Sequence, residues 1–164
     1  MSFEQAIINE DLENIHRYIK NGYVDINSPL STGFPPISEV ITPGLGLQFS
    51  IHKPNEKILK LLLDSGADVN KKGEYPGNTA LIQASFFGFK KTVKLLLEYG
   101  ASINAQNVEG ATALMMATLE SKVEIITLLL SKGADKNVKT FNMGMTALDG
   151  ALRNNNQELI ELLK

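Results

Sequence analysis

The sequence predicts an all-α solenoid of about five helix-turn-helix units with β-turn tips, because several markers recur at a fixed period. Leu61-Leu62-Leu63 returns as Leu95-Leu96-Leu97 and as Leu128-Leu129-Leu130, at offsets of 34 and 33 residues. Gly66-Ala67-Asp68 returns with the same offsets as Gly100-Ala101-Ser102 and Gly133-Ala134-Asp135. An asparagine (Asn70, Asn104, Asn137) follows each of these triplets two residues on. Upstream, Thr79-Ala80-Leu81 recurs as Thr112-Ala113-Leu114 and Thr146-Ala147-Leu148, each threonine two residues after a glycine. Markers of four kinds keep step, which chance does not produce.

Each unit has a physical reading. Gly-x-Thr is a turn followed by an N-cap, the threonine oxygen accepting a backbone N–H of the first helical turn. A short helix is expected from Thr79 to about Phe87 and breaks at Gly88. A second runs from about Lys90 to Tyr99, with Val93, Leu96 and Leu97 at helical spacing. Gly100 then supplies the left-handed residue that ends it. Helices this short are marginal alone and persist only by burying their apolar faces against the next pair.

These residues resemble the ankyrin family, whose repeat opens Gly-x-Thr-Pro-Leu-His-x-Ala and closes Leu-Leu-Leu-x-x-Gly-Ala-Asp-Val-Asn. Here the corresponding stretches read Gly77-Asn78-Thr79-Ala80-Leu81-Ile82-Gln83-Ala84 and Leu95-Leu96-Leu97-Glu98-Tyr99-Gly100-Ala101-Ser102-Ile103-Asn104. The resemblance is strong over residues 56–152 and extends more weakly outward. It implies a single domain, 1–164, with units at about 1–30, 31–73 with an insertion at 42–53, 74–107, 108–140 and 141–164. The family proline is Ala80, Ala113 and Ala147, and the family histidine is Ile82, Met115 and Asp149, of which Asp149 can still accept a bond from the turn. The last outer helix, Glu158 to Leu163, is expected to be either a minimal cap or the edge of a longer chain.

Composition narrows the function classes. Eighteen acids against sixteen bases give a net charge of −2, which works against a general grip on nucleic acid. Residues 53–94 nevertheless carry eight lysines against four acids, Lys90, Lys91 and Lys94 on an outer helix among them. There is no cysteine, hence no disulfide or thiolate metal site. No apolar run approaches the roughly 20 residues of a bilayer span, and Glu4 stands where a signal peptide places positive charge. The location expected is cytoplasmic. Neither His16 nor His52 belongs to a ligand-spaced set. No phosphate loop or nucleophile–base pattern occurs, so no catalytic residue, metal or cofactor is expected.

The resemblance implies that turn tips and inner helices line a concave groove in which a protein partner lies. Carried over by position, the candidate contact residues are Tyr75, Asn78, Phe86, Phe87, Leu119, Glu120 and Met143. Phe86 and Phe87 stand out, because consecutive phenylalanines at a wet helix end suit an interface anchor; the competing reading folds one ring into the core. Phe89 is read as structural. Leu45, Leu47 and Phe49 alternate with small or polar residues in the insertion and add an apolar candidate surface. The function expected is a non-enzymatic protein-binding scaffold, an adaptor or stoichiometric inhibitor that is monomeric when free. The alternatives are a microbial immunity or effector protein that blocks a cognate enzyme or toxin and, behind it, a nucleic-acid-associated module. No small-molecule substrate and no membrane are expected.

Overall fold

The computed structural model describes residues 1–41 and 53–164. Among the described residues the chain forms helices and no strand: α1 (Phe3–Ile8), α2 (Leu12–Lys20), α3 (Pro36–Ile41), α4 (Glu56–Asp64), α5 (Ala80–Phe87), α6 (Lys90–Glu98), α7 (Ala113–Leu119), α8 (Val123–Ser131), α9 (Ala147–Arg153) and α10 (Gln157–Leu163). Each odd-numbered helix packs on the even-numbered helix that follows it. The odd-numbered helices also pack on one another in chain order and form an inner layer, and α2 on α4 and α6 on α8 form the outer one. The predicted all-α solenoid is what the chain adopts.

The threonines start the inner helices as their spacing predicts. The side chains of Thr79, Thr112 and Thr146 accept the N–H groups of Ile82, Met115 and Asp149. Gly88 ends α5 in the left-handed conformation, φ +85°, which a residue without a Cβ adopts at no steric cost. Asn55 caps α4, its Oδ1 accepting from Lys57 and Ile58 at 3.1 and 3.3 Å, and Pro54 lies one residue outside the cap. An amide that fills two orphan N–H groups specifies the start better than a fixed φ does.

Burial follows the repeat. The middle leucine of each triplet, Leu62, Leu96 and Leu129, is wholly buried, and Leu163 takes the same place in α10. Inner helices approach closely because alanines four apart face their neighbours: Ala80 and Ala84, Ala113 and Ala117, Ala147 and Ala151. Residues Ala80 to Ser85 are buried all round, since α3, α6 and α7 cover α5 on every side. Across the outer layer, Lys60 donates to Tyr99 Oη at 2.8 Å and pairs with Asp64 at 3.0 Å, and Tyr99 donates to Asp64. These bonds push the Lys60 ammonium up to about 12 and hold the Asp64 carboxyl below its usual value. The groups are about half exposed, so the strap is a weak one.

In the last unit Asp149 occupies the place of the family histidine and does tie helix to turn. Its Oδ2 accepts the N–H of Thr146 at 2.8 Å and its hydroxyl at 2.7 Å, a closed capping box. The backbone bond, then the side-chain bond, lower the Asp149 carboxyl below its ordinary range. A depressed carboxyl stabilises the fold above its unfolded value, near 3.8, and that contribution fades as pH falls through the folded value. Asp149→Ala is therefore expected to lower the melting temperature at pH 7, with the gap from the parent narrowing below about pH 4; a gap independent of pH would refute it. Leu96→Ala is expected to cost about 2–5 kcal/mol through the cavity it leaves, whereas Lys94→Ala, on the exposed face of the same helix, stays within about 0.5 kcal/mol by denaturant unfolding.

Candidate functional site

The tips are built by stacking each turn on the one before. Glu74 N–H donates to the Gly33 carbonyl at 3.0 Å, Val108 N–H to Pro76 at 3.1 Å and Phe141 N–H to Glu109 at 2.9 Å. Contact is so close at Gly110 that a Cβ there would come within 2.6 Å of the Phe141 nitrogen, on a residue whose φ is +82°. Glycine is thus required where the next tip lies across it.

Stacking leaves the large tip side chains in solvent. Tyr75 is 76% exposed, with its hydroxyl 3.3 Å from Glu109 Oε1 on the next tip. Val108, Phe141 and Met143 are exposed as well, whereas Ala111 and Met145 are buried and half-buried. Asn78 stands at the tip but is already engaged, its Oδ1 accepting from Asn107 Nδ2 at 2.9 Å. Asn107 escaped the sequence reading. It is 5% exposed and its Oδ1 accepts the N–H groups of Glu109 and Ala111 at 3.0 and 2.9 Å, holding the turn. The Asn-x-x-Gly spacing of Asn107 and Gly110 is the local signal that could have found it.

At the other end of α5 three rings meet. Phe86 and Phe87 sit edge to face with centroids 5.0 Å apart, and Phe87 stacks on Phe89 at 5.9 Å. All three are half-buried. Phe89 packs against the core, while Phe86 and Phe87 lie outside it. Phe86 comes seven residues after the N-cap Thr79, and Leu119 seven after Thr112, so the two stand at equivalent positions in the last turn of their inner helices. Leu119 is 54% exposed and Glu120 is exposed at the C-cap. Tyr75 does not share this end: the eight residues of α5 put about 12 Å of helix between the tip and the phenylalanines. Leu45, Leu47 and Phe49 lie outside the described residues. His16 is exposed, and among the described residues no cluster of His, Asp or Glu could hold a metal ion.

Comparison with known proteins places the chain. Ankyrin repeats match it as three overlapping copies, over residues 4–107, 47–140 and 106–164. The protein belongs to the ankyrin-repeat family. Ankyrin repeat protein FPV031 of fowlpox virus is 34% identical over 154 residues, 92% of this chain and 43% of that protein. Human Rabankyrin-5 is 38% identical over 104 residues, 54% of this chain and 9% of that protein. The E3 ubiquitin-protein ligase KEG of Arabidopsis thaliana is 31% identical over 123 residues, 71% of this chain and 8% of that protein. The chain thus spans less than half the length of each of these relatives. Ankyrin repeats are in general protein-interaction modules, and no helix among the described residues is long and apolar enough to cross a membrane.

Within this ankyrin-repeat chain the exposed and the structural tip residues separate in one experiment. Asn107→Ala leaves two N–H groups of a tight turn without their acceptor and is expected to cost about 1–3 kcal/mol. Tyr75→Ala is expected to stay within about 0.5 kcal/mol. Equal costs in chemical denaturation would mean that Tyr75, too, holds the tip.

Proposed function

We propose that the protein is a non-enzymatic binding scaffold, an adaptor or stoichiometric inhibitor, that docks a protein partner in its concave groove. One observation carries this reading: two adjacent phenylalanines lie outside the core, half-buried, at the end of an inner helix. Large rings held at an exposed edge are the residues from which interfaces draw most of their energy. Leu119 one unit later continues the apolar surface, with Glu120 beside it as a polar rim. Tyr75 and Met143 offer further contact at the tips. Ordinary composition, few histidines and no cysteine suit a scaffold better than a catalyst. The protein works in the cytoplasm and is monomeric until it meets its partner. A second reading, a microbial immunity or effector protein that blocks a cognate enzyme or toxin, is favoured by the viral source of the relative that matches 92% of this chain.

The test is a pull-down and affinity measurement with the double variant Phe86→Ala, Phe87→Ser. Partner binding is expected to weaken at least about tenfold, equivalent to about 1.4 kcal/mol. Losing the two ring pairs is expected to cost about 1–3 kcal/mol of stability beyond the apolar area given up. A variant that melts far lower and binds only in proportion to its folded fraction would make the rings core residues. A well-folded variant that binds normally would remove the interface from this face.

A further inference from the structure

A second concave feature lies where the second unit meets the third, away from the tips. It is a cleft of about 620 Å³, walled by Lys53 and Lys57 at the start of α4 and by Gly88, Phe89, Lys90 and Lys91 at the start of α6. Four lysines line it and Glu56 is the one acid among its described walls. Lys90 is paired across to Glu124 on α8 at 3.2 Å. Among the described residues no ion pair engages Lys53, Lys57 or Lys91. Glu10 of the first unit accepts from Asn55 Nδ2 at 3.0 Å and brings one further carboxylate to the rim.

Two further observations set the chemistry of an occupant. No side chain caps α6: its N-cap residue is Phe89, whose ring offers no acceptor, and the Lys90 N–H turns back to the Gly88 carbonyl at 3.0 Å. The N–H groups of Lys91 and Thr92, in the same first turn, add partial positive charge on the side where these two residues line the cleft. Phe89 gives the wall an apolar patch, but one of its faces is covered by Phe87. A ring stacked in this way makes a floor for an aliphatic side chain and a poor platform for successive bases. A concave wall lined by one sign of charge focuses the field on what enters it, while the chain as a whole, at −2, does not attract polyanions in general.

We propose that this cleft receives an acidic segment of a protein partner, its carboxylates among Lys53, Lys57 and Lys91 and an apolar side chain against Phe89. The inference rests on the binding-scaffold reading only in taking the partner to be a protein; it does not need the groove at Phe86 and Phe87.

Fluorescence anisotropy with a short labelled peptide of Glu-Gly-Leu repeats tests it, with the Gln-Gly-Leu peptide as the neutral control. Saturable binding of the acidic peptide is expected, at least about tenfold tighter than the control and weakened by salt. Lys57→Glu and Lys91→Glu are each expected to reduce the affinity several-fold, and together at least about tenfold. Lys94→Glu, the same charge change on the same helix outside the cleft, is expected to leave it within about twofold. Circular dichroism of each variant secures the comparison. Failure of the groove variant to affect a natural partner would sink the groove and leave this peptide result intact. Loss with Lys94→Glu as large as with the cleft variants would reduce the effect to diffuse attraction and overturn the proposal. So would the absence of saturable binding, or a single-stranded oligonucleotide that outcompetes the peptide and responds to the same lysines.

Discussion

The side-chain amide of Asn70 accepts the N–H of Ser102 at 2.7 Å and reaches the carbonyl of Gly100 at 3.4 Å, and the stack depends on that bridge and its copies. Asn27 makes the same pair of contacts to Asp68 and Gly66, and Asn104 accepts from Asp135 at 2.9 Å. Each bridge joins the end of one unit to the end of the outer helix in the next, where orphan backbone groups need partners. For Asn27 and Asn70 an aspartate two residues earlier fixes the asparagine, Asp25 and Asp68 accepting their N–H groups at 2.9 Å; Asp135 does the same for Asn137 at 2.8 Å, while Ser102 stands at that place before Asn104. The Asp-x-Asn marker is therefore a local turn and a link to the next unit at once. Helices of six to nine residues gain little from their own hydrogen bonds. Order must pass between units, by these bridges at one edge, by the leucines in the middle and by the stacked tips at the other.

That division explains what could be read without the structure. Threonine caps, glycine stops and buried leucines are set within one unit, so spacing alone located them: Thr79, Gly88 and Leu96 do what the period predicts. Contacts between units were not legible, because they pair residues about thirty apart whose relative height along the stack spacing does not encode. Asn78 is a candidate contact residue by position, and its side chain is held by Asn107, 29 residues on. Tyr75 was grouped with Phe86 and Phe87, but α5 stands between them. Gln83 shows the limit from the other side. It is 3% exposed and neither end of its amide finds a partner among the described residues, at a position where Met116 stands one unit later. A period predicts that the place is inside; it does not predict that a polar group fills it.

The same architecture limits where an interface can form. With α3, α6 and α7 around α5, the third unit presents its turn tip, the end of its inner helix and its outer lysines, while its helix walls are covered. Among these the side chains are not held equally. Tyr75 and Met143 are more than two-thirds exposed, and ordering such a side chain on binding costs about 0.5–1.5 kcal/mol. Phe87 is already fixed between Phe86 and Phe89, and Phe89 is anchored in the core. A partner that covers Phe86 and Phe87 gains their remaining apolar area without first ordering them. Because Phe89 also walls the lysine cleft, the ring cluster joins the proposed groove to the proposed acidic-segment site, and one extended chain can follow it from an apolar anchor to a positively charged pocket. The two proposed surfaces need not compete: in this proposal the first supplies area, and the second selects by charge.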